Sequence, residues 1–106
     1  MAVYSILLGA GRVLESDSHD IYTAPGVGVV VVRDVVIASA GGGLGPVGVD
    51  VLSGSVLTPI FHATMGDTVT TYHWSGRQVL LAGDVVRVTT YDGQCYYRVS
   101  GYLLGV

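Results

Sequence analysis

The chain alternates between short runs of β-branched and aromatic residues and clusters of glycine, proline and aspartate. Apolar residues do not recur at helical spacing for longer than about one turn, whereas period-two alternation is clear in Val85–Tyr91 and Cys95–Leu104. Further strands are predicted at Ala2–Leu8, His19–Thr23, Val27–Ala40, Val47–Leu52, Leu57–Ala63, Thr68–Trp74 and Gln78–Leu81. The pattern therefore predicts an all-β chain of eight or nine strands.

Turn signals separate these strands. Pro25 and Gly26 fit the central positions of a type II turn, whose third residue needs a positive φ, and Gly83 before Asp84 gives a similar signal. Asp92-Gly93 predicts a hairpin between the last two strands. We therefore expect positive φ angles at Gly26 and Gly83.

The segment Val27–Ala40 is apolar on both faces of the predicted strand, except at Arg33 and Asp34. A strand of this kind is covered on both sides. In a two-sheet sandwich the other sheet supplies one cover, and a loop or a neighbouring subunit has to supply the second.

Eight or nine strands with short connections favour a two-sheet antiparallel β-sandwich of jelly-roll type. A seven-strand immunoglobulin fold fits less well, because its usual cysteine pair cannot form from the single Cys95. A length of 106 residues predicts one β-sandwich domain that spans residues 1–106.

Composition adds a constraint on the surface. Apolar residues make up 50% of the chain, charged residues only 12%, and the mean hydropathy is +0.58. This balance excludes a disordered chain, and the wealth of Val, Thr, Tyr and Gly disfavours a helical bundle. With so few charges, some apolar surface is expected to lie against another chain.

Charge also limits the partners. The net charge is −3 and the five arginines are scattered singly, so we expect no nucleic-acid partner. The most hydrophobic stretch, Val27–Ala40, is too short to span a bilayer and is split by two charges, so we expect no membrane insertion.

The side chains that carry chemistry are few, and we predict a protein that is not an enzyme. Glu15, Asp17, His19 and Asp20 could hold a divalent cation, but the loop lacks the glycine and distal glutamate of tight calcium loops, which favours a solvated loop. A second candidate metal site, for zinc, would use His62, His73 and Cys95. These residues are widely separated in the sequence, and zinc sites usually have closely spaced ligands, so we do not favour this site. We expect no catalytic residue, no cofactor and no metal.

Aromatic residues gather in the last third of the chain, where aromatic faces with a polar edge suit protein interfaces or sugars. Tyr96 and Tyr97 are adjacent, so one of them must face away from the core. Two valines of the long apolar strand complete the candidate interface: Val29, Val31, Tyr72, Trp74, Tyr91, Tyr96, Tyr97 and Tyr102.

Three stretches carry a resemblance to a known family: Ile21–Gly26 with Val30–Val35, Leu80–Val88 with its Leu-Leu-Ala-Gly-Asp motif, and Val99–Tyr102. In these stretches the chain resembles small β-sandwich virion proteins of tailed bacteriophages. The chain departs from that family at Ala38–Ala40, where the family often has Asn-Thr-Ser. The resemblance covers about Ile21–Tyr102.

The resemblance implies a non-enzymatic virion subunit, either a tail protein or a capsid-decoration protein, that is located in the virion and docks on other virion proteins. It also implies a homo-oligomer, for which we favour a trimer. The alternative is a receptor- or glycan-binding module on the same fold, with a host surface glycan as its partner.

Overall fold

A computed structural model describes residues 3–13, 18–26, 28–39, 45–65, 71–91 and 94–104. The described strands are, in chain order, β1 (Val3–Val13), β2 (Ser18–Thr23), β3 (Val29–Ser39), β4 (Gly45–Ser53), β5 (Val56–Met65), β6 (Thr71–Leu80), β7 (Val85–Thr90) and β8 (Cys95–Leu104). Among these residues there is no helical segment with the length and hydropathy that a membrane span needs.

The strands form two antiparallel sheets of four strands each. The β3 sheet has the order β1-β8-β3-β6, and the β4 sheet has the order β2-β7-β4-β5. This is the jelly-roll arrangement, in which most connections cross between the sheets, and it confirms the predicted all-β sandwich.

The core lies between the two sheets, and valine is its most frequent residue. On β3, the inward side chains are Val30, Val32, Val35 and Ile37, and the register shift at Arg33 keeps this alternation on the core face. From the β4 sheet, the fully buried partners are Val47, Val49, Val86 and Val88. Branched side chains suit this flat interface, because they fill the pleat and lose little rotamer freedom.

Val31 is the exception on β3, because it points to the outer face and is nevertheless only 2% exposed. Its register neighbours on that face are Val79 of β6 and Tyr102 of β8. The sequence predicted that a loop or another subunit covers the outer face of this strand. At Val31, neighbouring strands of the same chain cover it instead.

The turn prediction at Gly83 is confirmed, with a φ of +84°. The Asp84 N–H donates to the carbonyl of Leu81 at 3.0 Å, and the Leu81 N–H donates to the Asp84 carboxylate at 2.9 Å. The Ala24 N–H donates to the carbonyl of Asp84 at 2.8 Å, which ties this turn to the segment after β2. Asp84 is buried because its side chain closes the turn from inside.

The turn prediction at Pro25 and Gly26 is wrong in its key residue. Both are exposed, and it is Gly28 rather than Gly26 that has a positive φ, of +81°. A Cβ on Gly28 would lie 2.8 Å from the Leu104 carbonyl oxygen. The positive φ is therefore needed at Gly28, where the chain enters β3 beside the end of β8.

The hairpin predicted between the last two strands is also wrong, because β7 and β8 belong to different sheets. Gly93 and Asp92 themselves lie outside the described residues. The pair of consecutive strands that does share a sheet is β4 and β5, which turn at Gly54 with a φ of +61°.

Glycine positions in the strands generate a test of the fold. A Cβ on Gly101 of β8 would overlap the backbone carbonyl of Val31, and neither strand can move without breaking the sheet. We expect Gly101→Ala to lower the free energy of unfolding by at least about 2 kcal/mol, by analogy with other overpacked cores. Urea denaturation measures the loss.

The matched control is Gly26→Ala, because nothing lies within 4 Å of a Cβ at that position. We expect its stability to stay within about 0.5 kcal/mol of the wild type or to rise slightly, since alanine restricts the unfolded chain. Equal stability of the two variants would contradict the β3–β8 register.

Candidate interaction surface

The three histidine and cysteine candidates for zinc ligation are kept apart by the sandwich. His62 is exposed on the outer face of the β4 sheet, His73 is exposed on the outer face of the β3 sheet, and Cys95 is fully buried between them. Among the described residues, no group of three His, Cys, Asp or Glu side chains is placed to hold a metal ion.

Cys95 is a small apolar side chain of the core, with no charged partner among the contacts described for it. Burial raises the pKa of its thiol to about 11. The thiolate is therefore scarce at neutral pH, and the side chain is shielded from solvent.

His73, Asp34 and Ser75 meet on the outer face of the β3 sheet and invite comparison with a catalytic triad. His73 Nε2 lies 3.0 Å from Asp34 Oδ1 and 3.3 Å from the Ser75 hydroxyl, which itself donates to Asp34 Oδ1 at 3.0 Å. A triad needs the carboxylate on one ring nitrogen and the hydroxyl on the other. Here both partners crowd Nε2, so the serine is not activated as in a triad.

These contacts shift the acidity of Asp34. Hydrogen bonds from His73 and then from Ser75 hold the pKa of the Asp34 carboxyl below its usual value. The cluster is exposed, which limits its electrostatic strength.

Asp50 is a buried carboxylate on the outer face of the β4 sheet, with a side chain only 3% exposed. His62 Nε2 lies 2.7 Å from its Oδ1 and covers it. The imidazole reaches this place across Gly48, where a Cβ would approach Nε2 to 2.9 Å. A glycine on β4 thus makes room for the ring that shields Asp50.

Beside Asp50 in the β4 sheet, Arg87 of β7 forms a two-point ion pair with Asp20 of β2. Arg87 Nε donates to Asp20 Oδ1 at 2.6 Å, and Nη2 donates to Oδ2 at 3.3 Å. The hydrogen bond from Arg87 lowers the pKa of Asp20. Asp20 from the predicted acidic loop is therefore paired with Arg87 and is not free to bind a cation. Glu15 and Asp17 of the same loop lie outside the described residues.

The predicted aromatic interface is divided between opposite sides of the β3 sheet. Tyr72, Trp74 and Tyr97 point inward and pack against the core. Tyr96 and Tyr102 lie on the outer face, and Tyr91 is exposed just after β7. The eight candidates therefore do not form one surface.

Part of the outer face of the β3 sheet does bring candidates together. Val29 and Val31 of β3 lie in register with Leu104 and Tyr102 of β8. The Arg33 guanidinium lies over the Tyr102 ring, 5.7 Å from its centroid, which is within range of a cation–π contact. Val29 is exposed at the edge of this group.

Exposed aliphatic side chains lie on both outer faces of the sandwich. On the outer face of the β3 sheet, Val29 and Val79 lie beside the buried Val31. Leu57 pairs with Leu52 on the outer face of the β4 sheet. Val56 at the start of β5 and Leu81 just after β6 are exposed as well, and of these five residues the sequence analysis named only Val29 as part of an interface.

Two contacts link β5 and β6, the edge strands on one side of the sandwich. The Ser53 hydroxyl donates to Asp84 Oδ1 at 2.8 Å, which joins the turn before β5 to the turn after β6. Deeper in the sandwich, the rings of Phe61 on β5 and Tyr72 on β6 lie with centroids 6.5 Å apart. The two edge strands therefore face each other across the sandwich.

The described part of the chain forms no concave pocket. The candidate site is therefore a surface formed by strand ends and turns, rather than a cleft that encloses a small molecule.

No protein-family model and no curated protein matches the chain. Among solved structures, the chain is similar to the NLP core of Drosophila, a nucleoplasmin-type protein, with a TM-score of 0.50 and 12% identity. The similarity covers 96% of this chain and 97% of that chain. At this identity the likeness concerns the fold, and it agrees with the two-sheet sandwich described above.

The NLP core is described in terms of pentamer formation and histone binding. This finding corrects the function drawn from the phage resemblance, because the similar structure is not a component of a phage particle. The expected role as a tail or capsid-decoration protein, and the expected virion location, are therefore wrong. The same neighbour gives no support to the alternative of a receptor- or glycan-binding module.

The Asp20–Arg87 pair generates a prediction about pH. The pKa of Asp20 is lowered from 3.8 in the folded chain, so the pair stabilises the fold above that pH. Its contribution is lost as the pH falls through the lowered pKa. We expect Asp20→Asn to destabilise the protein by less than about 1 kcal/mol at pH 7, because the pair is partly exposed.

Thermal or urea unfolding from pH 7 to pH 2 measures this difference, which should shrink to nothing at the acid end. In an Arg87→Gln background, Asp20→Asn should have no further effect at any pH. A difference between Asp20→Asn and wild type that persists at pH 2 would show that the carboxylate acts through something other than its charge.

Proposed function

We propose that this chain is a non-catalytic subunit that assembles with copies of itself into a closed ring. The observation that carries the proposal is the exposure of large apolar side chains on the outer faces of the sandwich, in a chain with only 12% charged residues. On the β3 sheet they include Val29 and Val79, which lie beside the buried Val31, and on the β4 sheet Leu57. Exposed apolar surface on a small domain marks a place that another molecule covers.

The structural neighbour supports self-association, since the NLP core forms pentamers on a similar sandwich. It also bears on the number of copies. The sequence analysis favoured a trimer, whereas the neighbour makes five copies the number that we propose. A ring of identical subunits buries the same patch on every copy and leaves no open end.

A non-catalytic role is supported by the geometry of the polar clusters. Each histidine that contacts an aspartate in the described part of the chain is exposed on a flat outer face, and the serine beside His73 shares its nitrogen with Asp34. Such clusters lack both the arrangement and the shielded cleft on which nucleophilic catalysis depends.

Histone binding, which is described for the NLP core, is not part of the proposal for this chain. Each acidic side chain in the described part already has a partner: Asp20 binds Arg87, Asp34 binds His73, Asp50 binds His62, and Asp84 closes its own turn. These carboxylates are therefore already committed and do not form a free acidic surface for a basic protein.

Sedimentation velocity on the purified chain at about 1 to 50 micromolar tests the proposal, a range in which a specific interface of micromolar affinity is populated. We expect a single species with about five times the 11.0 kDa mass of the chain. Native mass spectrometry checks the number of copies. A monodisperse monomer throughout this range would contradict the proposal, and a stable trimer would retain self-assembly but refute the pentamer.

A further inference from the structure

We infer that the outer face of the β3 sheet binds an acidic segment of another protein, through a surface that we call the basic face. The basic face consists of three arginines and a tyrosine on β1, β3 and β8: Arg12, Arg33, Tyr96 and Arg98. This inference goes beyond the proposed assembly, because it concerns a partner of different chemistry and does not depend on the number of copies.

The fold gathers cations that the sequence scatters. The chain has no lysine and five arginines, and four of these lie on strands of the β3 sheet: Arg12, Arg33, Arg77 and Arg98. Among the described carboxylates, only that of Asp34 lies on the outer face of this sheet, and it already binds His73 and Ser75. The face is therefore positive, although the whole chain has a net charge of −3.

The register of β1 and β8 places three of these side chains together. Arg12 pairs with Tyr96, and both point outward because the next pair along these strands is buried in the core. Arg98 lies two residues further along β8 and therefore on the same face. Small side chains flank the group, with Ala38 beside Tyr96 and Ala10 beside Arg98. Both guanidinium groups are exposed, and Tyr96 is 50% exposed.

Arg12 and Arg98 are close together without a carboxylate between them. Diagonal positions on neighbouring antiparallel strands have Cβ atoms about 7 Å apart, so the two positive charges repel each other. Among the described residues, the carboxylates that form ion pairs do so with other side chains, and none pairs with Arg12 or Arg98. Carboxylates from a partner would remove this repulsion.

An extended acidic segment matches the spacing of the two arginines. Alternate side chains of an extended chain lie on one face about 7 Å apart, which is twice the rise per residue. Carboxylates at alternate positions would therefore reach Arg12 and Arg98 together, while the ring of Tyr96 packs beside them. Arginine and tyrosine are also the side chains that contribute most to protein interfaces.

The basic face favours a protein over a nucleic acid. A nucleic acid that binds through its phosphates needs a longer series of cations, because each phosphate contact adds a similar increment of affinity. Here Asp34 follows Arg33 directly, and the Arg33 guanidinium is already engaged over the Tyr102 ring. The described part of the chain also has no pocket that would enclose a small anion.

The basic face is separate from the exposed valines on the same sheet. Val29 and Val79 lie near the start of β3, whereas Tyr96 and Arg98 pair with the last third of this strand. A second copy that covers the valines can therefore leave the arginines open to a partner. The two proposals consequently fail or hold separately.

Fluorescence anisotropy with a labelled peptide of alternating glutamate and serine tests the inference. The same peptide with glutamine in place of glutamate is the control, and we expect only the glutamate peptide to bind. Arg12→Gln and Arg98→Gln should each raise the dissociation constant about threefold, which is the effect of losing one exposed ion pair. The double variant should raise it about tenfold, because the two contacts are made together.

The matched control variant is Arg87→Gln, which removes one positive charge from the outer face of the opposite sheet. We expect it to bind the glutamate peptide like the wild type, which separates local recognition from the effect of net charge. Thermal unfolding of each variant checks that the fold is intact.

Three results would overturn the inference: no binding of the glutamate peptide to the wild type, equal weakening by Arg87→Gln, or equal binding of the glutamine peptide. Tighter binding of single-stranded DNA than of the glutamate peptide would overturn it in favour of phosphate recognition. None of these results changes the number of copies, which sedimentation measures independently.

Discussion

The close contact between β3 and β8 is the constraint on which the rest of the sandwich depends. β3 has β8 on one side and β6 on the other, and β8 in turn holds β1, so the whole sheet is built outward from this pair. At Gly101 the two backbones approach so closely that no other residue fits without displacing one of them. This contact fixes the register that puts Val32 and Val35 in the core and Val31 on the outer face.

The register of this pair also decides what the surface offers. It aligns Tyr102 beside Val31 and beneath Arg33, so this part of the outer face of β3 is covered by its own neighbours. Val29 and Val79 on the same face stay exposed, and Leu57 is exposed on the outer face of the β4 sheet. The low charge of the sequence therefore leaves apolar side chains exposed on both outer faces, and from these we infer assembly.

Much of the fold was predictable because it depends on local patterns. Runs of β-branched and aromatic residues between turn signals located most of the strands, and period-two alternation marked the last two. Gly83 with Asp84 marked a real turn, since the backbone there needs a positive φ. Glycines within strands were harder to interpret. Gly11 lies beneath the Tyr97 ring and Gly76 beneath Trp74, so each provides space for an aromatic ring where the sequence had indicated the end of a strand. Such a role depends on the partner strand.

The candidate site was less predictable for the same reason. Trp74 and Tyr97 face inward because of the register of β6 and β8, which sequence alternation alone does not determine. The exposed Val29 and Val79 belong to β3 and β6, which are far apart in the sequence and are neighbours only in the folded sheet. The resemblance to phage virion proteins supplied a sandwich of the right class but a function that the structural neighbour contradicts.

Hydroxyl-radical footprinting of the wild-type protein, at concentrations below and above its assembly, tests the central claim most directly. In the isolated chain Leu7, Leu57 and Leu81 are 51%, 47% and 66% exposed, so free subunits would be oxidised at all three. Assembly through exposed apolar side chains predicts that oxidation of at least one of them falls as the concentration rises. Unchanged oxidation of every exposed aliphatic side chain in a confirmed assembly would contradict the account.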